Sequence, residues 1–214
     1  MSMIKAKPTP RTPAVDCTNE IIPPLDFSFC RLTAVEDALE EEPRIVSPIR
    51  EKPRKLEEEL LNESSEEDRR KSKSRCLRLH NNAIADLSTL ISSADKLFEH
   101  PKEIGWLDLS FNELTSIDDA ILDFENLRIL YLHGNAIANI DDVKKLANLP
   151  HLRKLCLHGN QIESIKGYRQ FVLAHIPQLL EFDFSNVTKT DRASASAWAR
   201  IMSTKKKGKK SRED

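Results

Sequence analysis

One short pattern occurs four times in this sequence, and it limits the available folds more than any other feature. Each copy reads leucine, x, leucine, x, x, asparagine, x and an aliphatic residue, where x is any residue. The copies begin at Leu77, Leu107, Leu130 and Leu155. One unit has too few apolar residues to form a core by itself. Consecutive units must therefore stack and cover one another. The pattern therefore predicts a quasi-one-dimensional stack with one continuous core.

Alternation inside each unit predicts a short strand. In the eleven-residue unit LxxLxLxxNxL, positions four and six point into the core, and positions three, five and seven face the opposite side. This unit is the leucine-rich repeat signature. The expected fold class is an α/β leucine-rich repeat solenoid with short parallel strands on the concave face, a helical or irregular convex side and a C-terminal cap helix. A leucine-rich helical bundle is the alternative, and the asparagine after every strand argues against it.

The asparagine at position nine lies where the chain leaves each strand. Its amide both donates and accepts, so it can satisfy backbone groups of its own turn and of the neighbouring coil. Leaving such groups unpaired would cost roughly 1–3 kcal/mol each. The residues predicted to form this structural asparagine ladder are Asn82, Asn112, Asn135 and Asn160.

The connections between strands differ in length. The first is the longest, and Asp86 to Phe98 has the apolar spacing of a helix that Pro101 ends. The other connections suit shorter helical turns. The predicted repeat domain covers residues 74–187, with four repeats and a terminal cap strand.

The cap strand differs from the repeats because no further unit covers it. We expect Phe182 and Phe184 to point inward, and position nine holds Val187 instead of asparagine. Thr188 and Asp191 have the spacing of a capping box, which predicts a cap helix over 188–202. The residues expected to fold over the open end are Trp198, Ile201 and Met202.

Lysines dominate 203–214, which is predicted to be a basic disordered tail.

The N-terminal third is organised differently. Proline-rich residues 1–22 predict a disordered tail, and charged residues 44–73 predict a linker. Between them, 23–43 contains an apolar motif with Phe27 and Phe29. A capping box at Thr33–Glu36 then opens a short helix, with Leu32, Val35 and Leu39 on one face. Two interpretations remain open: this segment is an N-terminal cap on the first repeat, or it is a linear motif for another protein.

Composition excludes several classes of function. Charged residues make up 31% of the chain and the net charge is −1, so no overall field attracts nucleic acid or membrane. No apolar run approaches the ~20 residues of a membrane-spanning helix. The four cysteines lack the clustered spacing of extracellular caps, which indicates a reducing intracellular compartment. None of the five glycines forms a phosphate-binding motif, so neither catalytic residues nor cofactors are predicted.

Two groups of residues are candidate sites. Position seven holds His80, His133 and His158, a column that could bind zinc only with a further ligand, so no metal is predicted. Positions three and five predict a partner-binding concave face. Its apolar centre is Trp106, Ile129 and Tyr131, and its charged rim is Arg78, Asp108, Lys154 and Asp183. An apolar centre inside a polar rim is typical of protein interfaces. The alternative is that the Phe27–Phe29 segment covers this centre.

Several motifs resemble a known class. The repeats, Gly167–Leu173 and Pro177–Asp183 are similar to the SDS22-like leucine-rich repeats. Narrower motifs resemble one family within that class: Pro23–Phe29, Glu41–Arg44, Trp106–Asn112 and Phe182–Lys189. The resemblance covers about 20–44 and 74–202 and not 45–73, as expected of an insertion.

The class includes phosphatase regulators, a spliceosomal subunit and axonemal proteins. The resemblance therefore implies a non-catalytic cytoplasmic scaffold or adaptor that binds a protein, and its class suggests a ciliary or axonemal assembly. A ribonucleoprotein adaptor and a phosphatase-regulatory subunit are the alternatives. The basic tail suggests contact with a microtubule or axoneme, whereas neither membrane nor nucleic acid is an expected direct partner.

Overall fold

The central element of the fold is a sheet of short strands that lie side by side in sequence order. A computed structural model describes residues 22–44 and 71–210, so most of the predicted tail 1–22 and linker 44–73 lies outside the described residues. The strands are β1 Leu25–Asp26, β2 Cys76–Arg78, β3 Trp106–Asp108, β4 Ile129–Tyr131, β5 Lys154–Cys156, β6 Glu181–Phe182 and β7 Ser185–Asn186. β1 to β6 pair in parallel, and β7 pairs antiparallel with β6. The predicted solenoid class is confirmed.

The convex side is built from helical turns of different lengths. Its α-helices are α1 Leu90–Leu97, α2 Tyr168–His175 and the cap helix α3 Lys189–Lys210. The 3₁₀ segments are Val35–Leu39, Pro101–Glu103, Asp119–Asp123, Ile140–Asn148 and Gln161–Ser164. α1 lies in the long first connection, where the apolar spacing predicted a helix. No helix in the described ranges is long and apolar enough to cross a bilayer.

The core follows the repeat register. The leucines at positions four and six of the four repeats are at most 1% exposed, and the aliphatic residues at position eleven are at most 2% exposed. Fully burying one such side chain contributes about 1.5–3 kcal/mol. Since every strand has the same inward pair, the register aligns Leu77, Leu107, Leu130 and Leu155 side by side across the sheet.

The position-nine asparagines bond to two coils at once. Asn112 Nδ2 donates to the carbonyls of Leu79 and Leu109, and its Oδ1 accepts from the amide of Ile84, at 2.9–3.1 Å. Asn135 and Asn160 bond in the same way to their own coil and to the preceding one. These bonds pair backbone groups that the short strands leave unpaired.

Residues 22–44 form an N-terminal cap on the first repeat. β1 pairs with β2, and the amide of Phe27 donates to the carbonyl of Arg78 at 2.8 Å. Asn82 extends the ladder to this segment, because its Oδ1 accepts from the amides of Cys30 and Leu32. Phe27 is 1% exposed. Of the two interpretations left open by the sequence, the described structure shows docking.

Two details of this N-terminal cap differ from the sequence interpretation. The capping carboxylate is Asp37, which accepts from the amides of Thr33 and Ala34, and Glu36 is exposed. The helical segment is a 3₁₀ turn, so residues three apart share a face and Leu39 is exposed. The face predicted from α-helical spacing is therefore wrong at Leu39.

The C-terminal cap also departs from the predicted inward pattern. Phe182 is buried, but Phe184 is 56% exposed. The reason is the turn between β6 and β7: Asp183 and Phe184 are its two central residues, with φ of 49° and 56°. A two-residue hairpin of this kind reverses the chain, so the strand alternation ends at Phe182. The prediction that Phe184 points inward is wrong.

The cap helix α3 begins where its capping box predicts. Thr188 Oγ1 accepts from the amide of Asp191, and the Asp191 carboxylate accepts from the amide of Thr188. Ala195 is buried, and the Trp198 ring lies 5.6 Å from that of Phe171 on α2. The predicted cap residues Ile201 and Met202 are instead exposed.

α3 does not end at 202 as predicted but continues to Lys210. The prediction of a disordered tail is therefore wrong for the backbone of 203–210. Lysine is a good helix former, and positive charge near a helix C-terminus is favoured by the helix dipole.

Candidate protein-interaction surface

The predicted apolar centre is assembled on the middle strands of the concave face. Register pairing places Trp106 beside Ile129, and the rings of Trp106 and Tyr131 make an edge contact with centroids 6.0 Å apart. All three side chains are half-buried. The N-terminal cap leaves them uncovered, because its strand pairs only with β2 and its Phe29 ring contacts His80 instead.

The predicted charged rim is only partly present. Arg78 Nη1 donates to Asp26 at 2.9 Å, and Lys154 forms a 2.8 Å ion pair with Glu181 on the adjacent strand. Asp26 is a partner that sequence reasoning missed, because only β1 pairing places it beside Arg78. Both cations keep exposed surface, so Arg78 and Lys154 remain rim residues.

Asp108 and Asp183 have structural contacts that the rim prediction did not include. Asp108 is 5% exposed and accepts from the amide and hydroxyl of Ser110. Asp183 Oδ1 accepts from the amides of Leu157 and His158. The prediction of an exposed rim residue is therefore wrong for Asp108, which is buried. Asp183 is half-buried, as Arg78 is, so its place in the rim stays a prediction.

A further feature was missed from the sequence: a row of rings along the edge where the strands end. We name it the aromatic ridge, and its members are Phe29, His80, Phe111, His133, His158 and Phe184. Successive centroids are 5.2, 5.4, 5.1 and 4.9 Å apart from Phe29 to His158, and Phe184 lies 5.4 Å from His133 and 5.5 Å from His158. The three phenylalanines are 52%, 48% and 56% exposed.

The exposed phenylalanines have unusual backbone conformations. Their φ angles are 60° at Phe29, 53° at Phe111 and 56° at Phe184, in the left-handed region. Such a conformation costs a non-glycine residue about 1–3 kcal/mol and is concentrated at functional sites. The sequence carried a signal for Phe111 alone: it occupies position eight, where the next two repeats have Gly134 and Gly159, also at positive φ.

One part of this arrangement has a packing reason. A Cβ at Gly134 would lie 2.6 Å from the Phe111 ring. The ring therefore lies directly against the glycine backbone, and glycine is required there for both its conformation and its lack of a side chain. This contact fixes the orientation of Phe111 while leaving about half of it in solvent.

The centre of the surface is uncharged at neutral pH. Burial lowers the pKa of His133, and the neighbouring His158 lowers it further. Burial also raises the pKa of Tyr131, with Glu181 as the next cause. Both groups are therefore neutral near pH 7, so binding a partner here requires no desolvation of a full charge on these two side chains.

Two ring nitrogens in this region have no hydrogen bond among the described residues. They are Nε1 of Trp106 and Nδ1 of His133, and both atoms are buried from solvent. Leaving a buried polar atom unpaired costs about 1–3 kcal/mol.

An open depression of about 470 Å³ lies next to Trp106 and Ile129, at the N-terminal end of the strands, and Arg75, Glu103 and Arg128 also line it.

The histidine column does not converge on one point. His80 Nδ1 lies 2.8 Å from the Ser110 hydroxyl, and the Phe111 ring separates it from His133. His133 and His158 stack with an interplanar angle of 15°, so their nitrogens lie in nearly parallel planes. The column is therefore part of the aromatic ridge.

Comparisons with known proteins agree with this architecture. A family model described as "Leucine-rich repeat" matches residues 91–212. The chain is 45% identical over 186 residues to leucine-rich repeat-containing protein 51 of Bos taurus, covering 86% of this chain and 89% of the relative. Identity to the Homo sapiens protein of that name is 44% over 185 residues, covering 86% and 89%.

Two more distant matches concern a ribonucleoprotein. U2 small nuclear ribonucleoprotein A' of Saccharomyces cerevisiae is 35% identical over 99 residues, covering 46% of this chain and 41% of that protein. A Drosophila melanogaster SNF/U2A' complex structure superposes with a TM-score of 0.50 at 23% identity, covering 63% of this chain and 73% of that one, which supports the fold alone. Taken with the closer matches, these findings show that the chain belongs to the leucine-rich repeat-containing protein 51 family.

Proposed function

We propose that this chain is a non-catalytic adaptor that binds a protein partner through its concave face. The observation that carries the proposal is the cluster of Trp106, Ile129 and Tyr131 in the middle of the sheet. It stays only half-buried although Arg78 lies over the Trp106 ring and Phe184 contacts Tyr131. Tryptophan and tyrosine are enriched among the residues that dominate binding energy, and such residues cluster near the centre of an interface.

The aromatic ridge supplies area that the strands lack. Five strands spaced ~4.8 Å apart, with three outward residues each, present roughly 300 Å². A standard interface buries about 800 Å² on each partner. The ridge adjoins the centre through Tyr131, whose ring lies 5.8 Å from His133 and 5.5 Å from Phe184. The proposed surface therefore continues from the centre of the concave face over its edge.

The unpaired polar atoms suggest where hydrogen bonds to the partner form. Trp106 Nε1 is a donor, and Nδ1 of neutral His133 is a donor or an acceptor according to its tautomer. Both atoms are buried in the free chain, so a partner reaches them only when the rings turn on binding, and complementary groups then remove the cost of leaving them unpaired. The exposed parts of Arg78 and Lys154 lie at the rim, where charges affect the association rate more than the affinity.

The test is a double variant, Trp106→Ala with Tyr131→Ala, used as bait in ciliated cells beside the natural chain. Proximity labelling and quantitative mass spectrometry compare the partners. We expect the specific partners to be depleted at least about tenfold, because two central aromatic side chains are removed. Melting temperature and circular dichroism check that the bait is folded.

The matched control is Ile165→Ala with Ile201→Ala, which also removes two exposed apolar side chains but lies outside the concave columns. This control should recover the same partners as the natural chain. A folded concave-face double variant with unchanged partners and yields would contradict the proposal.

A second candidate function is a ribonucleoprotein adaptor, in which the partner on the concave face binds RNA. The similarity to U2 small nuclear ribonucleoprotein A' favours it. The test is RNA co-purification from cell extract at increasing salt. Loss of the RNA together with the partner in the Trp106→Ala, Tyr131→Ala variant would support it, whereas partners that carry no RNA would contradict it.

The proposed location is the cytoplasm, including the cilium, because the SDS22-like class includes axonemal proteins. Contact of the lysines of 205–210 with an acidic polymer such as a microtubule is part of the same proposal, since clustered positive charge attracts such surfaces. Fluorescence imaging of the tagged chain in ciliated cells tests the location. Exclusive nuclear signal would contradict it.

A further inference from the structure

Three side chains of the kinds that bind metals meet at the C-terminal end of the concave face. They are Cys156 on β5, His158 just after it, and Asp183 in the turn that follows β6. One ligand atom from each lies within 4.8 Å of the others, and Cys156 Sγ is 2.9 Å from His158 Nδ1. Cys156 and His158 are two residues apart, and the local chain presents both to the same side.

The donor set suits one metal in particular. Thiolate sulfur, imidazole nitrogen and carboxylate oxygen are the three types of ligand that proteins use for Zn²⁺. Softer or harder cations would favour sets dominated by sulfur or by oxygen. Three protein ligands with a fourth position for water is a known coordination for zinc.

Neighbouring groups hold the three side chains in place. Asp183 Oδ1 accepts from two backbone amides, and its Oδ2 accepts from the Tyr168 hydroxyl at 3.0 Å, which leaves Oδ2 a second lone pair for a metal. His133 stacks on the His158 ring, and Phe184 packs against it. Contacts that orient ligands in this way raise metal affinity.

We propose that Cys156, His158 and Asp183 form a zinc site that ties β5 to the β6–β7 hairpin. On binding, the thiol proton of Cys156 is released to solvent, and the thiolate sulfur, His158 Nδ1 and Asp183 Oδ2 each donate an electron pair to Zn²⁺. Water occupies the fourth position. No change of oxidation state is involved, and the site does not depend on the identity of the protein partner.

Spectroscopic titration of the purified, untagged full chain with Co²⁺ tests the site, after treatment with a chelator. We expect one Co²⁺ per chain, with the charge-transfer absorption of a cobalt–thiolate bond and its loss when Zn²⁺ displaces the cobalt. Cys156→Ser should abolish this absorption and weaken binding at least about tenfold, because a direct ligand is lost.

The matched control is Cys76→Ser on β2. Cys76 is half-buried and Cys156 is buried, and burial raises the pKa of either thiol to about 12, but Cys76 lies four strands from Asp183. This control should bind Co²⁺ like the natural chain. Equal binding and equal absorption in the two serine variants would overturn the proposal, as would the absence of the absorption in the natural chain.

Thermal unfolding supplies a second measurement. A ligand that binds only the folded state raises the melting temperature. We expect zinc to raise that of the natural chain and of Cys76→Ser, but not of Cys156→Ser. If Cys156→Ser fails to fold, His158→Gln replaces it in both measurements. Zinc-dependent stabilisation that persists in His158→Gln would show that the metal binds elsewhere and would overturn the site.

Discussion

The two ends of this solenoid face the same physical problem and solve it with different elements. At the N-terminal end, a segment separated from the first repeat by residues 45–70 supplies a parallel strand, so the stacking of the repeats simply continues. At the C-terminal end, β7 reverses direction and α3 covers the last coil. A repeat stack needs capping at both ends, but the repeat geometry determines neither cap.

The polar groups at the two ends show the difference most clearly. Asn82 both donates to Phe27 O and accepts from Cys30 and Leu32, as the inner asparagines do between repeats. Asp183 only accepts, from the amides of Leu157 and His158 and from the Tyr168 hydroxyl. No further repeat follows Asp183, so a residue without donors is sufficient there. The comparison indicates that the N-terminal cap behaves as an additional repeat and the C-terminal cap as a terminator.

The largest expected effects come from the aromatic residue buried at each end. Phe27→Ala and Phe182→Ala should each cost about 3–5 kcal/mol of stability, because both leave a cavity. Hydrogen exchange should separate them. Phe27→Ala should lose protection mainly within 22–44, whereas Phe182→Ala should lose it across 154–202, where α2 and α3 pack together. Identical exchange patterns would remove the distinction between the two caps.

A smaller effect is expected from the polar residues that end the ladder. Asn82→Ala and Asp183→Ala each leave buried amides unpaired, at about 1–3 kcal/mol per group. Asp183→Asn keeps one carbonyl oxygen as acceptor and should be milder than Asp183→Ala. Asn82→Asp loses its donors to Phe27 and Leu79, so it should be as harmful as Asn82→Ala. Urea unfolding measures both pairs, and a benign Asn82→Asp would contradict the roles assigned here.

Acid should weaken both caps, and the C-terminal cap more. The pKa of Asp191 is lowered by Arg169 first and then by Thr188, and that of Asp37 by the amides of Ala34 and Thr33. A carboxylate whose pKa is lower in the folded state stabilises the fold at pH values above its unfolded pKa of about 3.9. This stabilisation is lost as the pH falls through the folded pKa. The destabilisation caused by Asp191→Asn should therefore be present at pH 7 and shrink below about pH 4.

Asp37→Asn should show the same dependence with a smaller amplitude, because Asp37 is held by amides and a hydroxyl, whereas Asp191 also pairs with Arg169 at 2.9 Å. Chemical unfolding between pH 2 and 7 measures both, at intervals of about one unit. A pH-independent difference between Asp191→Asn and the natural chain would mean that this carboxylate is not the titrating group.

The smallest effect on stability is expected at the far end of α3. Replacing the five lysines of 205–210 with glutamine should leave the melting temperature nearly unchanged, since surface substitutions usually change stability by less than about 0.5 kcal/mol. Binding to microtubules or another acidic polymer should weaken, and the difference should vanish at high salt as screening shortens. Salt-independent loss would indicate recognition of a specific sequence.

The predictability of the fold varied along the chain. The repeat register, the buried leucines and the capping box at Thr188 were readable, because each depends on residues within one coil. The aromatic centre was also readable, since alternation places Trp106 and Tyr131 on one side. The ridge was not, because Phe29 lies outside the repeats and Phe184 lies in the β6–β7 hairpin, so only Phe111 belongs to the repeat pattern.

The sequence by itself therefore determined the repeating part of this protein: short-range periodicity sets which side chains are buried and where each strand ends. Only the tertiary structure decided the ends and the surface. It placed Asp26 beside Arg78, turned Phe184 outward, and brought Cys156 and Asp183 together from different strands. The first and last of these arrangements join residues more than twenty positions apart, and the hairpin at Phe184 lies where the repeat pattern ends. The periodicity within one repeat carries no information about contacts between residues so far apart in the sequence or beyond the last repeat.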